Sequence, residues 1–313
     1  MKNPNKNFGS VFLRQLLRWT PAVILFLILA LCWSAVWRGG LAGALAWDLL
    51  ISLVPLLGAA ALIFAAIYAV WKRRFSLPIA IAIALALIAI YPFGWNFGLL
   101  PIKYPSSLEK TTPSATVRLP GDVSLRVGWG GDDLEVNYHA AYPDQRWAYD
   151  LVVDPSFSGS ERLEDYGCWG VPVVAPASGK IVKAHDAEPD ETPGSVSNNF
   201  ENPKGNFVAV ELPTKTYLII AHLQRGSVAV KADDEVQEGQ MLGRCGNSGN
   251  TSEPHIHIHH QRQHPDFLDG FLAEGLPLYF RNHDGEPMPQ GGFKIADGRA
   301  VPKGAIVRHL GNQ

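Results

Sequence analysis

Acidic residues and histidine are nearly missing from the first third of the chain. Between residues 1 and 100, Asp48 is the only carboxylate and no histidine occurs, although the 313-residue chain carries 29 acids and 10 histidines. Such a stretch cannot form a water-facing globular surface, which polar and charged side chains normally occupy. An excess of charge is missing as well: the net charge is −2, which argues against a nucleic-acid partner. Cysteine is scarce, with three residues. Cys32 lies in an apolar run, where it serves as a small apolar residue. Cys168 and Cys245 both sit in Gly-rich turns, and sequence leaves open whether they form a disulfide or two separate thiols.

The apolar runs are long. Trp19–Trp37, about Leu49–Trp71 and about Leu77–Leu100 each approach the roughly 20 residues a bilayer-spanning helix needs. A cleaved signal peptide does not fit, because two further spans follow the first. Lys2, Lys6, Arg14 and Arg18 precede the first run, and Lys72, Arg73 and Arg74 separate the second from the third. Positive residues stay on the cytoplasmic side. The expectation is a multi-pass protein of the cytoplasmic (inner) membrane. Its N-terminus is cytoplasmic and its C-terminal domain periplasmic or extracellular, with Asp48 at the edge of the second span.

Residues 1–100 thus form the membrane region, and a Pro/Ser/Thr-rich stretch over 101–120 reads as a tether. Over 121–313 the pattern changes to short β-branched runs such as "NFVAVELP" and "TYLIIAHL", broken by Gly, Pro, Asn and Asp. The fold class expected is three transmembrane α-helices followed by a mainly antiparallel all-β domain. The polar stretch over 184–205 reads as a long surface loop of the kind that borders sites.

Four of the ten histidines stand in "PHIHIHH". As a strand, this segment places His255, His257 and His259 on one face and Ile256, Ile258 and His260 on the other. The isoleucines face the core, and successive histidines in the row are roughly 7 Å apart. A metal-binding row and a merely polar strand face both fit the strand taken alone.

Taken with "TYLIIAHLQRG", "RCGNSGNTSEPHIHIHH" and the Gly170–Val182 phrase "GVPVVAPASGKIV", the segment resembles the zinc metallopeptidases of the M23 family, the lysostaphin-like peptidoglycan endopeptidases. The resemblance runs from Asn137 to Gln261. It implies a duplicated-hybrid-motif β fold, a Zn²⁺ cofactor, and peptidoglycan or another peptide as substrate. It makes His257 and Asp150 metal ligands and gives His222 and His255 catalytic roles toward the attacking water and the oxyanion. It assigns Asn250 and His259 to substrate contact, with a solvated strand position as the plainer reading of His259.

One position departs from the family. The usual first ligand, four residues before the aspartate, is Arg146 here, and a guanidinium has no lone pair to give. His139, eleven residues before Asp150, is the nearest upstream candidate for the third ligand. If it does not reach the metal, the domain is an inactive relative that binds wall or regulates another hydrolase through a partner that sequence does not name. A carrier or adaptor of similar architecture would need a modifiable lysine at a hairpin tip, and the turn at 243–251 has none. His185, His260, His264, His283 and His309 are assigned no chemistry and are placed in turns or polar stretches.

Overall fold

The computed structural model describes residues 4–72, 75–97, 99–100, 102–270, 272–296 and 299–311. The chain divides into two compact units, Met1–Pro105 and Ser106–Gln313.

In the first unit the apolar runs form α1 (Pro4–Arg38), α2 (Gly40–Ile51), α3 (Leu53–Lys72) and α4 (Leu77–Ile90). Among the described residues, three helical stretches are long and apolar enough to cross a membrane: Arg18–Arg38, Leu53–Trp71 and Leu77–Gly94. Two boundaries differ from the sequence expectation. The second span does not begin near Leu49, because the chain breaks at Ser52. Pro55 accounts for the break: it lacks an N–H, and its ring crowds the carbonyl four residues back, that of Ile51. Asp48 therefore lies in the last turn of α2, where its carbonyl accepts from Ser52 N at 3.0 Å. In the third span the α-helix, α4, stops at Ile90, and a 3₁₀ turn containing Pro92 runs from Tyr91 to Phe97.

The helices bury Leu29, Trp47, Leu50, Val54 and Tyr104 among themselves. A Cβ on Gly58 would stand 2.8 Å from the Ala86 carbonyl, so a residue without a side chain lets α3 approach α4. Leu31, Trp37, Val70 and Trp71 face outward and are exposed.

The second unit is built from short strands. The first four are β1 (Ala115–Val117), β2 (Leu125–Trp129), β3 (Tyr149–Val152) and β4 (Pro172–Val174). Then come β5 (Gly179–His185), β6 (Asn206–Glu211), β7 (Tyr217–Leu223), β8 (Glu235–Val236) and β9 (Met241–Arg244). The histidine strand is β10 (Ile256–Gln261), followed by β11 (Gly275–Leu276), β12 (Leu278–Phe280), β13 (Phe293–Ala296), β14 (Arg299–Pro302) and β15 (Ile306–Val307). Nine of these make one sheet in the order β15-β2-β3-β10-β7-β6-β5-β8, with β11 attached to β10. Every pairing within it is antiparallel.

Part of the stretch read as a tether belongs to this unit: β1 pairs in parallel with β12. Ala115, Val117 and Leu119 are buried, and that period-two apolar pattern outweighs the surrounding Pro, Ser and Thr.

Ile256 and Ile258 of β10 pack with Leu151, Val208, Leu218 and Ile220 in the main core, as alternation predicts. The other face of the sheet holds Phe207, Ala209, Ile219 and Ala221. Cys168 and Cys245 are disulfide-bonded across a sequence separation of 77 residues, which resolves the choice that sequence left open. In the chain-entropy account a loop of that length restricts the unfolded chain by about 4 kcal/mol. Cys168→Ser should therefore lower unfolding stability of the full chain by about 2–5 kcal/mol in urea titration. Alkylation without reductant should label Cys32 alone.

Candidate functional site

Strand register assembles the site. On β10, His257 stands opposite Asp150 of β3 on one side and Ala221 of β7 on the other. Directly opposed residues in an antiparallel pair share a face, so the imidazole and the carboxylate meet. His257 Nδ1 is 2.8 Å from Asp150 Oδ1.

His222, next along β7, has φ 60°. A non-glycine residue in the left-handed region bends the strand and re-aims its side chain. Its ring centroid lies 5.6 Å from that of His257 and 4.7 Å from that of His255. His255 Nε2 comes within 3.6 Å of Asp150 Oδ1.

His139 arrives from outside the sheet. It lies in a 3₁₀ turn, Tyr138–Ala141, whose N-cap is Asn137. Its Nε2 is 3.5 Å from Asp150 Oδ2, and its ring is 5.1 Å from that of His257. The ligating atoms of His139, Asp150 and His257 all lie within 4.8 Å of one another, as do those of His222, His255 and His257. All five residues are buried, between 1% and 8% exposed.

Hydrogen bonds fix which ring nitrogen faces inward. A main-chain carbonyl can only accept, so a nitrogen bonded to it carries the proton. His222 Nδ1 donates to Ser248 O at 2.7 Å, and His255 Nδ1 donates to Glu253 O at 2.8 Å. Asn137 turns its NH₂ toward the Gly131 and Ala148 carbonyls, which leaves Oδ1 to accept from His139 Nδ1 at 2.9 Å. His139 and His255 therefore present the lone pair of Nε2 toward Asp150, and on His222 the lone pair is likewise on Nε2.

Burial favours the neutral rings. It lowers His139 to about 3 from the ordinary 6.5, against the opposing pull of Asp150, and pushes His222 well below its usual range. For Asp150, burial acts upward, but the surrounding imidazoles of His139, His255 and His257 outweigh it and keep the carboxylate ionised.

Arg146, standing where the family has its first ligand, points elsewhere. It donates to Asp132 O at 2.9 Å and to Asp132 Oδ1 at 2.8 Å, and it lies 4.8 Å from the Trp147 ring centre. It is wholly buried. His139 occupies the place beside Asp150 instead.

Two expectations are corrected. His259 is neither solvated nor open to a substrate: it is 1% exposed, with both ring nitrogens bonded inside the protein. The face of β10 opposite the core is covered as well, which a strand pattern cannot reveal. His260 does not lie in a turn: it is buried on β10 between Thr216 Oγ1 and the Pro277 carbonyl, at 2.7 and 3.2 Å.

Asn250 lies in the Gly-rich turn with a buried Oδ1 that accepts no protein hydrogen bond. The expected site-bordering loop ties to that turn, with Asp190 Oδ1 accepting from Asn247 N at 2.7 Å and Ser197 Oγ donating to Gly249 O at 2.6 Å. Sequence reasoning missed Asn137 and Tyr138. The first signals itself only as an Asn two residues before a His, a local side-chain-to-backbone pattern. The Tyr138 ring centre is 4.0 Å from that of His139.

The pH dependence follows from the neutral rings. His139 and His260 protonate at about 3 and about 4 in the fold, against 6.5 when exposed. Between those values the unfolded chain binds more protons, so the stability is fully present above about pH 6.5 and is lost as pH falls. Each such group contributes about 1.4 kcal/mol per pH unit across its window. The denaturant midpoint of the full chain should fall from pH 7 to pH 5, and His260→Gln should flatten that slope.

Residues 165–267 match the family model described as peptidase family M23. That match contains His222, His255 and His257 and begins after His139 and Asp150. No curated protein matches the chain. Among solved structures, the chain resembles a mutant catalytic domain of the prophage-encoded M23 protein EnpA from Enterococcus faecalis at 14% identity and a TM-score of 0.34, over 51% of this chain and 93% of that one. It resembles a zinc-containing peptidase from Vibrio cholerae at 16% identity and 0.30, over 47% of this chain and 36% of that one. For the lysostaphin catalytic domain of Staphylococcus simulans the figures are 23% and 0.27, over 44% and 77%. The β unit of this chain thus carries a peptidase family M23 domain over residues 165–267.

Proposed function

We propose that the β unit is a zinc-dependent endopeptidase, held at the outer face of the cytoplasmic membrane and acting on peptidoglycan stem or cross-link peptides. One observation carries the reading. The ligating atoms of His139, Asp150 and His257 lie within 4.8 Å of one another, and those of His222 and His255 form a second such group with the same His257. Two histidines and one aspartate are a donor set suited to zinc, with a side left open as catalytic sites require. His139 Nε2, Asp150 and His257 Nδ1 are the ligands in this reading. His139 supplies what Arg146 cannot, since Arg146 is fully engaged with Asp132.

Zinc bound there would polarise a peptide carbonyl and make a nucleophilic water available at neutral pH. His222 and His255 do the proton work. Each is anchored at Nδ1 by a main-chain carbonyl, so each offers Nε2 to take the proton of the attacking water. Once protonated, the same nitrogen donates to the oxyanion that develops on the carbonyl. Asn250, on the same Gly-rich turn as the Ser248 carbonyl that anchors His222, contacts substrate in this reading.

The compartment argument is separate from the site. Three helices suited to crossing a membrane, with positive residues before the first and between the second and third, support an outer-side location for the β unit. The Cys168–Cys245 disulfide agrees with an oxidising compartment. Peptidoglycan lies there.

The full chain in detergent should bind one zinc and release soluble peptides from purified cell wall, and chelator should abolish that release. His139→Ala should weaken zinc binding by more than about tenfold, beyond what loss of a supporting residue alone produces at the low end. Digestion that persists in chelator contradicts the reading. A folded chain that neither binds zinc nor digests wall supports the inactive, wall-binding alternative.

A further inference from the structure

His257 differs from the other three site histidines in presenting Nδ1, and no main-chain carbonyl fixes its tautomer. Its Nε2 faces another imidazole, His259 Nδ1, at 2.9 Å. A pair of imidazole nitrogens can share a proton in either sense, so this contact alone leaves the lone pair of His257 undecided. The rest of the chain of contacts decides it.

His259 Nε2 is 2.9 Å from Gln261 Oε1, and Gln261 Nε2 donates to the Gln263 carbonyl at 2.7 Å. The Gln263 carbonyl can only accept, so the amide NH₂ of Gln261 must face it and Oε1 must face His259. That oxygen also only accepts, so the proton of His259 is on Nε2. His259 Nδ1 is then an acceptor, and the proton on His257 is on Nε2. Two neutral rings bring two protons to three contacts, so the Nδ1 of His257 is left with its lone pair directed at Asp150 Oδ1, 2.8 Å away, a meeting of two acceptors that a metal ion bound to both would relieve.

The three side chains occupy alternate positions on one face of β10, where the strand repeat brings each within reach of the next. His257, His259 and Gln261 are 5%, 1% and 4% exposed, so water does not compete for these bonds.

We propose that His259 and Gln261 are positioning residues that hold His257 in the tautomer whose Nδ1 binds the metal. The proposal rests on the zinc reading above. A ligating histidine whose other nitrogen donates to a fixed acceptor is held in orientation and made more basic, and losing such a partner typically costs 10- to 100-fold in metal affinity. Here the acceptor acts at one remove, through a second imidazole, and the polarity of the relay is set by one backbone carbonyl at its far end.

The test is zinc affinity of the full chain in detergent, by competition with a chromophoric chelator, for the parent, His259→Leu, Gln261→Leu and Gln261→Glu. Glu keeps an oxygen acceptor facing His259, whereas Leu fills similar space without one. The relay predicts about 10- to 100-fold weaker binding for both leucine variants and parent-like or tighter binding for Gln261→Glu. It also predicts, in ¹⁵N-histidine spectra of the zinc-loaded parent, one ring bound through Nδ1 with its proton on Nε2.

Leucine variants that bind zinc as tightly as the parent overturn the relay alone, as does Gln261→Glu falling as far as Gln261→Leu. A parent that binds no zinc overturns both the relay and the metal reading. If His259→Leu does not fold, the two Gln261 variants still decide the question.

Discussion

The site depends on one register. Asp150 and His257 face each other across β3 and β10 because Ile256 and Ile258, on either side of His257, pair with Leu151 and Tyr149 and point into the core. A slip of one residue would turn every side chain of β10 to the opposite face. The isoleucines would leave the core and the histidine row would enter it, so apolar burial and metal-site geometry are selected together. The same register places Ala221 beside His257 and, one residue on, the bent His222.

A second requirement is that buried imidazoles be neutral and oriented. Each site ring is anchored by an acceptor outside the site: a carbonyl for His222 and His255, the clamped amide of Asn137 for His139, and His259 for His257. Burying polar groups without partners is costly, so these anchors stabilise the fold while they set the chemistry. The amides of Asn137 and Gln261 are alike in this: each is tied to backbone carbonyls by its NH₂ and turns its oxygen to a histidine.

Much of this was legible in the sequence. The alternation of "PHIHIHH" gave the strand, its core face and the face shared by His255, His257 and His259, and the apolar runs gave the helices suited to a membrane. Arg146 stood out because guanidinium cannot ligate, which directed attention to His139. What sequence could not supply was covering and context. His259 reads as a solvated strand position and His260 as part of a turn or polar stretch, yet both faces of β10 are packed under other elements. The break at Ser52 needed the clash of Pro55 with the Ile51 carbonyl to be weighed against hydropathy. The burial of Ala115, Val117 and Leu119 was hidden by the polar residues around them. The turn that delivers His139 depends on Asn137, whose role appears only when its three carbonyl and imidazole partners are in place.

The central claim is that His139, and not Arg146, completes a two-histidine, one-carboxylate metal centre with Asp150 and His257. X-ray absorption at the zinc edge of the metal-loaded full chain examines it most directly. The account predicts a shell of nitrogen and oxygen neighbours at about 2.0–2.2 Å, free of sulfur, with outer-shell scattering from two imidazoles that drops to one in His139→Ala. A spectrum with one imidazole in the parent, or one unchanged by His139→Ala, would contradict it.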